Sequence, residues 1–331
     1  MKAARLYSPG QLRVQDEPKP TPAPGEVLVR VRAVGVCGSD LHWFSGGGIG
    51  DAKLVRPLVL GHECAGVTEG GIRVAVDPAI PCGKCEWCRR GHPNLCPDVR
   101  FAGHAPQDGT LREWIAWPEA CLHSLPATIS DAEGALLEPL GVALHAVDLA
   151  HLQVGMMVAV LGCGPIGLLI VQLARLSGAS RIIATDLCAH RLEVARTFGA
   201  HQTVLASAGR ELPQILSAVA GRGVDVAFEV AGEQPAVDVA IAAACPGGKV
   251  VLAGIPSDDC SSFTASTARR KGLTIKMVRR MRNTYPRAIE LATAGQVQIA
   301  PLVTHRFPLE KVADAFATAQ RREGVKVIVE M

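Results

Sequence analysis

Aromatic residues are scarce in this chain, and neither sign of charge dominates it. Phe, Tyr and Trp make up 4% of the 331 residues, too few for a surface on which successive bases stack. The formal net charge is only +3 and is dispersed, so nucleic acid is excluded as a partner. The densest basic run, Arg279-Arg280-Met281-Arg282, therefore calls for a local role rather than a polyanion. There is no internal repeat and no low-complexity segment. The opening residues, MKAARLYSPG, lack the apolar stretch of a secretion signal, which sets the expectation of a cytoplasmic, reducing environment. Residues 149 to 174 carry no Asp, Glu, Lys or Arg and are long enough to cross a bilayer. They contain Gly155, Gly162, Gly164, Pro165 and Gly167, however, and read as strand, turn and buried helix. No membrane partner is expected.

What is present is apolar surface in quantity. Hydrophobic residues reach 48% and charged ones 20%, a globular balance, and the length favours two domains. The first third is rich in Val, Gly and Pro, with short strand-like runs at Glu26-Val-Leu-Val-Arg-Val-Arg and Ile72-Arg-Val-Ala-Val. From about residue 155 the texture becomes strand and helix in alternation. Met157 to Leu161, Arg181 to Asp186, Val224 to Val230, Lys249 to Ile255 and Leu273 to Val278 read as strands. Pro165 to Leu176 and Arg191 to Phe198 read as helices closed by glycine. Such alternation implies a doubly wound parallel sheet. After residue 283 the texture is mixed again, with a helix near Tyr285 to Ala294 and a last strand at Val325 to Val329.

The chain has eleven cysteines, four of them in one short stretch, Cys82-Gly-Lys-Cys85-Glu-Trp-Cys88 and then Cys96. The spacing Cys-x2-Cys-x2-Cys-x7-Cys wraps four thiolates around a single tetrahedral zinc. A bacterial ferredoxin run instead ends Cys-x3-Cys-Pro and serves two clusters, so Pro97 after Cys96 is a weaker match to iron and sulfur. A four-thiolate shell is closed and has no position left for a substrate.

Gly162-Cys-Gly164-Pro-Ile-Gly167 is a G-x-G-x-x-G turn between a buried strand and a helix, and Asp186 ends the following strand. The first glycine makes the turn, the second lets a pyrophosphate approach the backbone, and the third lets helix pack on strand. Asp186 suits the ribose hydroxyls of an adenosine and repels a 2′-phosphate, which favours NAD over NADP.

Three further groups precede the cysteine loop in glycine-flanked settings. They are Cys37 in Gly-Val-Cys-Gly-Ser-Asp-Leu-His42, and His62 and Glu63 in Gly-His-Glu-Cys. Thiol, imidazole and carboxylate are the donor types of a catalytic zinc, which takes three protein ligands and keeps one position open. Glu138, in Leu-Leu-Glu-Pro-Leu, is a carboxylate inside an apolar run, costly unless it meets a metal or a proton. Glu63 and Glu138 stand as alternative carboxylate ligands.

Together these motifs resemble the zinc-dependent medium-chain dehydrogenases, in particular their sorbitol (polyol) dehydrogenase branch. The segments that carry the resemblance are GVCGSDLH, GHE, the cysteine loop, LLEPLGVALHA, GCGPIG, Asn283-Thr-Tyr-Pro and Pro301-Leu-Val-Thr-His-Arg-Phe-Pro-Leu-Glu. The resemblance implies a GroES-like, mainly β catalytic domain over 1–139 and 282–331, with a structural zinc lobe at 82–96. It also implies a Rossmann domain over 140–281. Two zinc ions per chain follow, one structural on Cys82, Cys85, Cys88 and Cys96, one catalytic on Cys37, His62 and Glu63 with Glu138 close by. Asp40 would orient His62, Ser39 would meet the reacting hydroxyl, and His42 would pass its proton outward. Substrate contacts would come from Ser39, Trp43, Phe101, His104, Glu138 and Arg280. NAD contacts would come from Gly162, Gly164, Ile166, Gly167, Asp186, Arg191, Ala253, Gly254, Ile255, Arg279 and Arg280.

The implied reaction is reversible oxidation of a polyol hydroxyl to a ketone, with hydride passing to NAD. A secondary-alcohol, 2,3-butanediol or L-threonine 3-dehydrogenase is the sibling alternative. A homodimer or homotetramer is the implied assembly. Two departures stand out. The segment between Glu63 and Arg73 is shorter than in the family, and Gly70-Gly71 is expected to close it as a tight hairpin. Trp43 and Met281 stand where sorbitol enzymes commonly carry tyrosine, and His104 where they carry threonine.

Overall fold

The computed structural model describes residues 1–207 and 210–331. The chain forms two compact units, one of Met1–Gly141 with Arg282–Met331, the other of Val142–Met281. Among the described residues no helix is long and apolar enough to cross a membrane.

The first unit is built on a seven-stranded sheet whose centre is the long strand Glu26–Gly35. Glu63–Thr68 and Trp114–Pro118 pair with it antiparallel, as does Lys326–Glu330 at its carboxyl end. Val29 and Val31 alternate, and a register shift after Val31 brings Val34 in as well, so branched side chains enter a core completed by Leu60, Ile115 and Trp117. A smaller three-stranded sheet opens the chain, formed by Lys2–Ser8, Gln11–Asp16 and Leu58–Val59. The shortened connection after Glu63–Thr68 closes as a tight hairpin. Thr68 and Ile72 share a backbone hydrogen bond of 2.9 Å, and Gly71 takes a φ of 83°, a conformation that favours glycine.

The second unit is a six-stranded parallel sheet in the order Gln202–Leu205, Arg181–Asp186, Met157–Leu161, Val224–Glu229, Ala244–Leu252, Thr274–Met277. In chain order this is 3-2-1-4-5-6, the doubly wound Rossmann arrangement. Its switch point lies between the strands Met157–Leu161 and Val224–Glu229. Both faces are covered by helices, so Val158, Ala159 and Val160 are wholly buried and the strand reads as a continuous apolar run.

Several boundaries differ from the sequence expectation. The fifth strand starts at Ala244 rather than Lys249, because a register shift between Val224 and Val226 absorbs the Pro246-Gly247-Gly248 segment. It ends at Leu252, where the N–H groups of Ala253 and Gly254 turn to the Glu229 carbonyl. The helix expected from Arg191 begins at Ala189. The strand expected over Val325–Val329 runs from Lys326 to Glu330.

Candidate active site

The nucleotide turn in the second unit has the stereochemistry its motif requires. Gly162 sits at φ 107°, and a Cβ there would lie 3.0 Å from the Ala231 nitrogen. At Gly167 a Cβ would fall 1.9 Å from the Gly162 carbonyl oxygen, so only hydrogen lets the helix reach the strand. Gly164 is the reverse case. Nothing lies within 4 Å of its missing Cβ, and it leads directly into the helix Pro165–Leu176 with proline at the first turn. That open backbone beside a helix N-terminus fits a pyrophosphate. Ile166 is half-buried in the same first turn.

Asp186 closes the site from the neighbouring strand. Its two oxygens accept the Cys163 N–H at 2.6 Å and the Cys188 N–H at 2.7 Å, which fixes the carboxylate against the glycine turn. Arg191 lies on the next helix, and its positive charge is felt at Cys163. Across the switch point a residue the sequence did not single out organises the opposite turn. The buried Glu229 carboxylate accepts the Ala231 and Gly232 N–H groups at 2.7 and 2.8 Å. A Cβ on Gly254 would lie 2.1 Å from the Gly232 nitrogen and 2.6 Å from the same carboxylate, so Glu229 and the turn it holds leave room only for glycine there. Arg279 and Arg280 follow the last strand, with Arg280 at φ 53°.

The first unit brings Cys37, His62 and Glu63 together. One ligand atom from each lies within 4.8 Å of the other two. Three local features place them. Cys37 precedes the helix Gly38–Gly46, whose third residue, Asp40, reaches back to accept the Cys37 N–H at 3.0 Å. The other Asp40 oxygen accepts the Gly61 N–H at 3.0 Å and faces His62 Nδ1 at 3.5 Å. His62 Nε2 is thereby left toward the site, 3.4 Å from the Ser39 hydroxyl. Burial pushes Asp40 up, but His62 and the two backbone N–H groups outweigh it and hold the carboxyl below its ordinary range. Burial would likewise lower His62, but the charges of Asp40 and Cys37 raise it well above its ordinary value. A soft thiolate, an oriented imidazole and a carboxylate at these separations fit one zinc ion.

Glu138 is not a member of that ligand set. It is buried at the start of the helix Leu137–Ala150, and burial pushes its carboxyl up to about 7, with the Glu63 charge adding to the shift and His62 opposing it. At neutral pH it is a carboxyl poised between proton donor and acceptor. The ring of Phe101 lies 5.3 Å from that of His62, and Trp43 meets His104 edge-on at 5.5 Å. His42, one turn beyond Ser39, is half-buried and makes no hydrogen bond to it among the described residues.

Lys326 is the group sequence reasoning missed. Its ammonium donates 2.7 Å hydrogen bonds to both Glu63 oxygens and a 3.1 Å bond to the Val36 carbonyl. A lysine inside the apolar run Gly-Val-Lys-Val-Ile-Val was the available signal, since such a charge is buried only with a partner.

The four loop cysteines form a second set with sulfurs within 4.8 Å of one another. The backbone N–H groups of Cys82, Cys85 and Cys88 point at neighbouring sulfurs at 3.3, 3.4 and 3.4 Å. The N–H groups of Lys84 and Cys85 pull Cys82 down to about 7, toward the thiolate that a metal binds. The donor set fits a closed tetrahedral zinc.

Known proteins resemble this chain along its whole length. Residues 23–127 match the alcohol dehydrogenase GroES-like domain, and residues 165–294 match the zinc-binding dehydrogenase family. The sorbitol dehydrogenase of Bacillus subtilis (strain 168) is 38% identical, covering 99% of this chain and 97% of its own length. A solved zinc-binding dehydrogenase from Sinorhizobium meliloti 1021, bound to NADP, superposes with a TM-score of 0.91 at 33% identity, covering 100% of this chain and 99% of its own. An alcohol dehydrogenase from Escherichia coli CFT073, complexed with NADH, gives a TM-score of 0.91 at 30% identity with the same coverage.

Proposed function

The chain belongs to the zinc-dependent medium-chain dehydrogenases, in their polyol dehydrogenase branch, and on that premise we propose that it oxidises a secondary hydroxyl of a sorbitol-like polyol reversibly to the ketone, with NAD as hydride acceptor. The single observation that carries this reading is the Cys37–His62–Glu63 set, with His62 turned toward the site by Asp40.

Cys37, His62 and Glu63 would hold the catalytic zinc, which when bound supplies Lewis acidity toward the substrate hydroxyl, while NAD accepts the hydride. The chain's own residues do the rest. Ser39, beside His62, orients the hydroxyl and takes the first hydrogen bond of the departing proton. His42 hands that proton toward solvent. Glu138 holds or releases a proton near neutral pH, so it answers the charge change at the reacting oxygen. Trp43, Phe101, His104 and Arg280 shape the polyol site. Asp186 excludes a 2′-phosphate, so the assignment is NAD although one relative holds NADP. Gly162, Gly164, Ile166, Gly167, Arg191, Ala253, Gly254, Ile255 and Arg279 complete the dinucleotide contacts.

We assign 1–139 and 282–331 as the catalytic domain and 140–281 as the nucleotide domain, with a cytoplasmic homodimer or homotetramer as the working form. A second reading has a specific basis. The edge-on Trp43–His104 pair is bulkier than the tyrosine and threonine of sorbitol enzymes and suits a smaller 2,3-diol, secondary alcohol or threonine.

The test is NAD reduction across a panel of polyols, diols and L-threonine, with and without a chelator. Chelator-sensitive turnover of a polyol is expected. A preference for butanediol or threonine selects the second reading, and no chelator-sensitive activity on any member overturns both.

A further inference from the structure

Across three neighbouring strands the backbone aligns Glu63 with Gly35, and Gly35 with Ile328. Lys326 lies two positions from Ile328, so its side chain shares the face that Glu63 and the bare Gly35 present. A Cβ on Gly35 would lie 1.9 Å from Glu63 Oε2. Only the missing side chain lets the carboxylate cross the central strand and reach the ammonium. Lys326 is 3% exposed and Glu63 1%, and both oxygens are engaged at 2.7 Å. One of those oxygens is also the atom that lies within 4.8 Å of Cys37 and His62.

We propose that Lys326, admitted by Gly35, is a positioning residue that competes with the catalytic metal for Glu63 and so sets how firmly and how fast that metal is held. This rests on the assignment of Cys37, His62 and Glu63 as the zinc site. The physical reason is that a buried carboxylate with a resident counter-ion is already stabilised in the metal-free protein. Metal must then bind against that pairing and against a nearby positive charge. Without the lysine the metal-free state retains an uncompensated buried anion, and binding of a dication becomes more favourable.

The test uses Co(II) as the probe in the full-length protein. The thiolate-to-cobalt absorption that disappears in Cys37→Ser reports this site separately from the four-cysteine loop. In Lys326→Met, loss of that signal to excess chelator is expected to slow at least tenfold, and its visible bands to shift as Glu63, released from the ammonium, binds the metal more strongly. In the double variant Glu63→Gln with Lys326→Met the gain is expected to vanish.

Gly35→Ala provides an independent arm that keeps every charge. Its Cβ meets the end of the Glu63 side chain rather than backbone, so it displaces the carboxylate without breaking the sheet. Faster cobalt loss and changed bands are expected there, and this arm decides the matter if Lys326→Met does not fold. Unchanged or faster loss in folded Lys326→Met overturns the proposal, as does an unaltered spectrum and rate in Gly35→Ala. Absence of any Cys37-dependent cobalt signal overturns the zinc-site assignment itself, and this proposal with it.

Discussion

Asp40→Asn puts the assembly of the zinc site under the sharpest test, because the replacement changes hydrogen-bonding capacity and charge while keeping shape. Asp40 is 1% exposed and receives three donors: the Cys37 N–H at 3.0 Å, the Gly61 N–H at 3.0 Å, and His62 Nδ1 at 3.5 Å. A carboxylate can accept all three. An asparagine offers one acceptor oxygen and turns an NH2 toward at least one backbone N–H, whichever way the amide is set. A buried donor left without a partner costs about 1–3 kcal/mol. In a domain of this size each kcal/mol is worth roughly 2–4 °C in the thermal midpoint, so a fall of several degrees is expected. The charge facing His62 is lost as well, and changes to partners that orient a ligand histidine typically cost about 10–100-fold in metal affinity or activity. Competition with a chromophoric chelator measures the affinity, differential scanning fluorimetry the midpoint, and initial rates kcat/KM. A folded variant with native zinc affinity and native kcat/KM would falsify the claim that Asp40 orients His62. A lower midpoint with native affinity would reduce Asp40 to a cap of the helix Gly38–Gly46.

Three other perturbations separate the parts of the molecule. Asp186→Ser removes the carboxylate proposed to meet the ribose, and the NADP to NAD ratio of kcat/KM should rise at least tenfold; an unchanged ratio would contradict the role given to Asp186. Cys88→Ser opens the four-sulfur shell, so trypsin should cut at the exposed Lys84, Arg89 and Arg90 while NADH fluorescence titration stays native; resistance to cleavage would mean that packing rather than metal holds the loop. The third is a pH titration of metal-stripped protein. Burial raises the Glu138 carboxyl to about 7, so the folded state binds more protons than the unfolded one, and stability should fall as pH rises from about 4.5 toward 7. His62 is also raised, so its contribution is complete below the unfolded histidine value and is lost only above it. Glu138→Gln should therefore reduce the slope in the lower window, leaving the share of Glu229, which burial also raises; an unaltered slope there would place the titration elsewhere.

Much of this molecule was legible in its sequence where one physical constraint dominated. Strands buried on both faces must be apolar throughout, so Met157–Leu161 and Arg181–Asp186 were readable to the residue. The glycine turn was readable because no other residue fits at Gly167. Of the edge elements, Thr274–Met277 was readable within a residue and others were not. Gln202–Leu205 is a half-buried edge strand with no clear period, and the opening hairpin mixes charges into both of its strands. The choice between Glu63 and Glu138 was also illegible, since it depends on which carboxylate the fold brings beside Cys37 and His62. Lys326 escaped because a lysine in a terminal strand usually marks a solvated edge. Its meaning came from Gly35, far away in sequence and adjacent in the sheet.

The charges buried around Cys37 explain why these residues belong together. With Cys37 as thiolate, and with Asp40 and Glu63 ionised, the site carries three negative charges against the one positive charge of Lys326. As a metal donor His62 is neutral and adds nothing, and Glu138 lies outside the ligand set. The sum is −2, which a dication cancels. Buried charge that does not sum near zero is costly in a low-dielectric interior, so this donor set suits a divalent metal over a monovalent one. The same sum includes the Glu63 charge, which adds to the upward shift that burial gives Glu138. It also gives Lys326 a second reason to exist: without it the metal-loaded site would remain at −1, opposing the negative charge that must develop on a substrate oxygen as its proton leaves.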